Sequence, residues 1–409
     1  MSSWKRTLYA CWLAQVFSIT GFAFVFPFMP LYIRSLGVTE RAEVIRWAGI
    51  ADSATAVTMA LFAPVWGSLA DRFGRKPMVL RSMIGGAAVL SLMGFCRTVG
   101  QLVVCRLLQG VLTGTVTASV ALVASAAPRE RSGYALGMMH VGVLVGVSIG
   151  PFFGGAMAEV FGFRAAFLIA GALLLAGGLL VKFAVEEHFT PAMPGDGAAR
   201  GSFGEVLAAG GFLAAVFALF TIQFANSAPA PIFPLFIEKL RSTSERIKVV
   251  TGSVVSVGGV AAALSAGVFG RFSDAWGHKR VLVATTAFAA LVSILHLFVQ
   301  SVGHLVALRA LLGLGAAGMM PAANAIIRDI TAERNLGRAF GVTSSLACAG
   351  MALGPLAGAY LGRHYTLRTP FVLTGVVLGF AAGLVLWRVQ RDRPAPATAE
   401  LPRPTPNPQ

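Results

Sequence analysis

Apolar runs close to the ~20 residues that a helix needs to cross a bilayer follow one another along the whole of this chain. They lie at 8–33, 44–66, 77–96, 101–125, 134–158 and 163–183, and then at 206–237, 248–269, 280–300, 304–327, 338–361 and 370–389. Of 409 residues, 56% are hydrophobic and only 12% are charged, against roughly 25% charged in ordinary soluble domains. The pattern predicts an all-α polytopic membrane protein with twelve transmembrane helices.

Among so few charges, one short turn stands out: Gly67-Ser68-Leu69-Ala70-Asp71-Arg72-Phe73-Gly74-Arg75-Lys76-Pro77-Met78. Gly67 lets another helix approach closely, and Asp71 follows on the same helical face. Gly74 is suited to stop the helix, and Pro77 suits the first turn of the next one. The turn recurs: Gly67, Asp71, Gly74 and Lys76 map onto Gly270, Asp274, Gly277 and Lys279 at a shift of 203. The same shift carries Arg106 and Gly110 onto Arg309 and Gly313. A shift of 204 carries Gly150, Pro151 and Gly154 onto Gly354, Pro355 and Gly358, and Pro27 and Pro30 onto Pro231 and Pro234. The chain is therefore two similar halves in tandem. Residues 1–183 and 204–389 are expected to form two pseudo-symmetric six-helix bundles. A polar linker at 184–203 joins them, and a disordered proline-rich tail occupies 390–409.

The net charge of +16 would suit nucleic acid if it were clustered on a soluble face. Instead Arg72, Arg75, Lys76, Arg271, Lys279, Arg280 and both terminal segments fall on one side of the bilayer. The opposite loops hold fewer cations. By the positive-inside rule both termini are cytoplasmic, and no nucleic-acid partner is expected. Cys11, Cys96, Cys105 and Cys348 have no metal-ligand spacing, so neither a metal nor a disulfide is expected.

Asp52 is the one acidic residue well inside a span, where a carboxylate costs roughly 2.5–3.5 kcal/mol on insertion scales. It must be protonated, paired or facing water, and such a group can bind and release a proton. A position near the outer interface with no such role is the alternative. Arg106 and Gln109, one turn apart in the fourth span, form a second polar group. His140 in the fifth span either relays a proton or packs as a neutral side chain. Pro27 and Pro30 break the first span, and Pro231 and Pro234 break the seventh at the matching place. Paired broken helices point to a transport cavity; the alternative is that the prolines only shape helix ends. Gln15, Phe22, Phe26, Gln109, Gln223, Asn226 and Asn324 are the candidates to line it. Gly146, Gly150, Pro151, Gly154 and Gly155 give the fifth span a smooth face for a partner helix. Gly313-Leu314-Gly315-Ala316-Ala317-Gly318 spells a dinucleotide fingerprint, but no strand precedes it and the cofactor reading fails. No catalytic constellation or phosphate loop is present, so neither an enzyme nor a cofactor is expected.

These motifs resemble the major facilitator superfamily over essentially the full length. The Gly67–Met78 turn is similar to its signature loop. Gly146-x-x-x-Gly150-Pro151-x-x-Gly154-Gly155 resembles the antiporter motif of its drug exporters. Gly21 with Pro27-Phe28-Met29-Pro30, and Arg106-x-x-Gln109-Gly110, are similar to motifs of the twelve-span drug:proton antiporters. The resemblance implies that two bundles rock about a central cavity and export small, largely hydrophobic compounds in exchange for protons. One chain would make a complete unit, in a bacterial inner membrane. It further implies a cytoplasmic gate built from Gly67, Asp71, Arg72, Gly74, Arg75, Lys76 and Asp274, with Asp71 facing the start of the eleventh helix at Gly337–Gly341. Proton coupling would fall to Asp52, Arg106 and His140. One departure is clear: several antiporters of this group carry an acidic residue in the first helix, where this chain has only Gln15. Uptake by proton symport, or a receptor-like or lipid-handling role, are the alternatives.

Overall fold

The structure, a computed structural model, describes residues 3–128, 131–187, 205, 211–241, 246–332 and 335–389. Most of the expected linker and the whole tail from 390 on lie outside the described residues, as do the side chains of Phe26 and Asp274. Among the described residues all regular structure is helical. The elements are α1 (Ser3–Val25), α2 (Met29–Ser35), α3 (Arg41–Phe73), α4 (Arg75–Met93), α5 (Val99–Leu112), α6 (Thr115–Ala126) and α7 (Ser132–Ala184). Then come α8 (Phe212–Ser227), α9 (Phe233–Leu240), α10 (Ile247–Trp276), α11 (His278–Leu295), α12 (Val302–Ile330), α13 (Leu336–His364) and α14 (Thr369–Arg388).

Ten of these helical stretches are long and apolar enough to cross a membrane. α7, at 53 residues, is far longer than one crossing needs, and Gly162 inside it has φ 81° and ψ 171°, which is not helical. The chain therefore turns at Gly162.

The proline breaks fall where the sequence places them. α1 gives way to a short 3-10 turn at Phe26–Phe28 before α2, and α8 gives way to Ala230–Ile232 before α9. A proline lacks the N–H that would continue the α ladder. Gly74 and Gly277 separate their helix pairs with φ 95° and 89°, a region open to glycine and strained for other residues. One break was not expected. The fourth span divides at Thr113–Gly114, with Gly114 at φ 119°.

Packing repeats with the sequence. α1 lies on α7 as α8 lies on α13, α3 on α5 as α10 on α12, and α4 on α7 as α11 on α14. The glycines show how close these approaches are: a Cβ on Gly154 would meet the carbonyl of Phe24, and one on Gly358 would meet that of Ala228. Both members of that second contact are the first shifted by 204.

The halves meet through α3 against α13 and α7 against α10, and they meet at one end. There, Gly49 faces Pro355 and Ala359, Gly155 faces Lys248, and Gly252 faces Pro151. The Ser53 hydroxyl donates to the Ala352 carbonyl at 2.6 Å, and the Phe152 N–H donates to Ser256 Oγ at 3.0 Å. Ion pairs Arg34–Glu238 at 2.9 Å and Arg363–Glu43 at 3.1 Å close the rim. At the other end, which carries the two repeated turns, Gly67, Gly133, Gly137, Gly267, Gly270 and Gly341 have open space where a Cβ would stand. Leu61 on α3 and Leu264 on α10 are 67% and 77% exposed. The close approach expected at Gly67 is absent because the halves are splayed at its end of the molecule.

Candidate functional site

α3 and α5 pack side by side because Gly110 has no side chain: a Cβ there would strike the Thr55 carbonyl and Thr58 Oγ1. Thr55 Oγ1 donates to the Arg106 carbonyl at 3.1 Å and Thr58 Oγ1 to that of Leu107 at 2.9 Å, stitching the seam. This registration sets Arg106 opposite Asp52. Arg106 Nη2 donates to Asp52 Oδ1 at 2.9 Å, and Arg106 Nη1 to Gln109 Oε1 at 3.1 Å. The ion pair is almost sheltered, with 10% and 16% side-chain exposure. Two opposite charges inside a span offset each other's desolvation, and removing either leaves the other unpaired.

The sequence grouped Arg106 with Gln109 and set Asp52 in a different span, and the structure brings all three together. His140 is not joined to them: it lies exposed on the early part of α7. A second unit at the turn end escaped the sequence reading. The Arg75 and Lys76 backbone N–H groups both donate to the Glu187 carboxylate at 2.8 Å, at the start of α4. Lys76 Nζ donates to the carbonyls of Lys182 and Val185. Its counterpart Lys279 does the same to Val389 at 2.6 Å. An acidic side chain is favoured at a helix amino end, but Glu187 reads as linker because its partner is 111 residues away. Asp71 and Arg72 are exposed, and among the described residues Asp71 makes no ion pair.

The candidate cavity residues disperse. Gln15 is fully buried, so it lines no open cavity in this conformation. Phe22 packs its ring over Gly86 inside the first half, and Gln109 is spent on Arg106. Gln223 and Asn324 are half-buried and Asn226 is exposed. An open apolar cleft of about 420 Å³ lies along α7 and α10, lined by Phe152, Ser253, Ser256, Val257, Val260, Ala261 and Leu264. The sequence gave no reason to choose that face, because its apolar residues look like any lipid-facing stripe. Among the described residues Arg309, the echo of Arg106, makes no ion pair and instead lies over the Phe233 ring at 4.0 Å. Among the described residues no cluster of His, Cys, Asp or Glu could hold a metal. Cys96 and Cys105 are free, with their sulfurs 3.9 Å apart.

Two internally repeated helical halves, joined at one end and parted at the other, with a sheltered ion pair inside the first half, define an alternating-access membrane transporter. The Major Facilitator Superfamily model matches residues 11–244 and again 215–407, and the chain belongs to that family. It is 36% identical over 380 residues to the Multidrug resistance protein MdtG of Proteus mirabilis (strain HI4320), covering 93% of this chain and 94% of that one. The MdtG of Yersinia enterocolitica is also 36% identical, over 391 residues, with 95% and 94% covered. Among solved structures, an inward-facing, occupied bacterial homolog of the human lysosomal transporter Spinster shares the fold, with a TM-score of 0.75 at 16% identity over 94% of this chain and 97% of that one. The human organic anion transporter MFSD10 does so with a TM-score of 0.70 at 17% identity, over 94% and 100%. The chain is a multi-pass membrane protein.

Proposed function

We propose that this chain exports small, largely hydrophobic compounds across the bacterial inner membrane in exchange for protons, as a monomer embedded in lipid and without enzymatic activity. The relatives named as multidrug resistance proteins support the substrate class. The observation that carries proton coupling is the buried Asp52–Arg106–Gln109 group. A proton on Asp52 removes its charge and frees Arg106, so the two protonation states favour different packings of α3 against α5. Twelve spans follow if α7 counts twice about Gly162 and α4 counts once. Ser3 and Arg388 then lie on the same side as the basic turns, which is cytoplasmic. The splayed end faces inward, and of the gate residues Gly67 has open space about it while Asp71 and Arg72 are exposed in this open state.

The test uses everted vesicles with an acidified lumen and a fluorescent pH-gradient reporter. Lipophilic cations, neutral antibiotics and anionic compounds are added singly. Proton release on adding a compound, absent in Asp52→Asn, is expected. Release that survives the substitution would move the proton site elsewhere.

A further inference from the structure

Several buried polar atoms in the first half have no hydrogen-bond partner among the described residues. Both amide atoms of Gln15, the hydroxyls of Ser18, Thr115 and Ser119, and Nε and Nη1 of Arg81 are in this condition. Gln15, Ser18 and Ser119 are 0% exposed. Thr285, Ser293 and Thr343, equally helical and buried, bond instead to the carbonyl four residues back. The unpartnered hydroxyls of α1 and α6 do not take that route.

The internal repeat shows that these groups share one interior. Shifted by 203 or 204, Gln15, Ser18 and Ser119 become Leu219, Ile222 and Ala322. Those three belong to a single buried apolar cluster of the second half. α1 touches α6 as α8 touches α12, so the first-half residues meet across the corresponding contact. Asp52, Arg81, Gln109, Thr113 and Thr115 differ in the same direction, becoming Val255, Ala284, Leu312, Ala316 and Gly318, while Arg106 keeps a polar counterpart in Arg309. At these positions the second half is apolar where the first is polar; its own unpartnered buried atoms, on Thr286, His296 and Thr374 among others, lie at different positions.

Helix order arranges these groups in one line. Arg106 and Gln109 hold its upper end at Asp52. One turn on, the Thr113 carbonyl at the break in the fourth span accepts from Arg81 Nη2 at 3.3 Å. The Arg81 guanidinium is stacked 3.6 Å over Trp66. Thr115 follows at the start of α6, then Ser119 one turn on, and α1, which carries Gln15, touches α6. Below them Leu8, Cys11, Leu122 and Val123 form an apolar plug toward the turn end.

We propose that α1, α4 and α6 enclose a string of bound water molecules that runs from the Asp52–Arg106–Gln109 group to Gln15 and Ser119 and serves the proton, not the exported compound. Buried water typically makes about three hydrogen bonds to otherwise unsatisfied groups, and these side chains offer them at successive turns. Transfer along the string makes one O–H bond and breaks another at each step, so it needs no partner beyond water. The inference rests on the proton-exchange reading above.

The test is hydroxyl-radical labelling of the purified full chain in lipid nanodiscs, followed by the vesicle assay. Met83 and Met93 lie on the same helix and are both 0% exposed. Cys11, one turn before Gln15 on α1, and Met83 share one buried cluster of the first half, whereas Met93 sits in another. Labelling of Met83 and Cys11 about tenfold faster than Met93 is expected if water is held beside them. Gln15→Leu/Ser119→Ala, which copies the second half at these positions, should bring them down to the Met93 rate and slow substrate-driven proton release. Substrate binding should be unchanged. Wild-type labelling as slow as at Met93 would overturn the water string. Loss of labelling with unchanged proton release would overturn its proton role. Absence of proton release with any compound in wild type would instead sink the exchange reading, while labelling would still decide whether the interior is hydrated.

Discussion

Asp52 and Arg106 show how a pair can be worth little in place and much when broken. The intact pair is neutral and hydrogen-bonded, so replacing both partners by apolar residues is mild. Removing one leaves a buried charge and costs about 3–5 kcal/mol. Asp52→Leu and Arg106→Leu are each expected to lower thermal stability strongly. The double variant should regain most of that loss, and none of the three should couple substrate to protons. Independent, additive losses in a thermal-shift cycle would mean that the two side chains do not act as a pair. The sequence identified both residues because a charge inside an apolar run is conspicuous. It could not join them, since the rotation of α3 against α5 is set by Gly110, Thr55 and Thr58. Equal depth below the same membrane face was the available signal. Glu187 gave no signal at all, because a carboxylate in a polar linker is unremarkable until the helix start it caps is in view. Glu187→Gln keeps one acceptor and loses the charge, so a loss of roughly 0.3–1 kcal/mol is expected, readable as a small fall in melting temperature.

At the scale of helices, glycine is uniform in the sequence and divided in the structure. Gly154 lies against the Phe24 backbone, whereas Gly137 on the same helix faces open space. Gly154→Ala must push two backbones apart and should destabilise by about 1–3 kcal/mol, in the range for an overpacked contact. Gly137→Ala removes backbone freedom from the unfolded chain and should stabilise by up to about 1 kcal/mol. Equal effects on melting temperature would remove the packing role of the glycine face. The proline breaks were legible because a missing N–H acts locally, whatever surrounds it. The break at Gly114 was not, because glycine is frequent in membrane helices. What holds it open comes from other helices: Arg81 on the Thr113 carbonyl and Trp66 Nε1 donating to Val111 at 2.7 Å. Repeat, span and break were thus written locally, and cavity and contact were not.

For the whole molecule, contact at one end and separation at the other make two glycines opposite levers on one equilibrium. A side chain at Gly67 meets nothing in this conformation, so Gly67→Leu should fold and melt like wild type, within the ±0.5 kcal/mol usual for exposed sites. It would obstruct any state in which the turn ends of the halves come together. Gly155 has the reverse environment, with the Lys248 carbonyl where its Cβ would stand. Gly155→Leu therefore penalises the conformation seen here and favours its opposite. Spin labels at Leu61 and Leu264, both exposed and past the midpoint of their helices on the way to the turns, report the opening between α3 and α10. With both exchanging states populated, wild type should show a long and a short distance. Gly67→Leu should retain only the long one and Gly155→Leu should enrich the short one, and neither should transport. A ligand or mutation shifts such a balance only by its differential effect on the two states, and these two sites differ in sign. A short-distance population that persists in Gly67→Leu, with transport intact, would show that the halves close without the turn coming together.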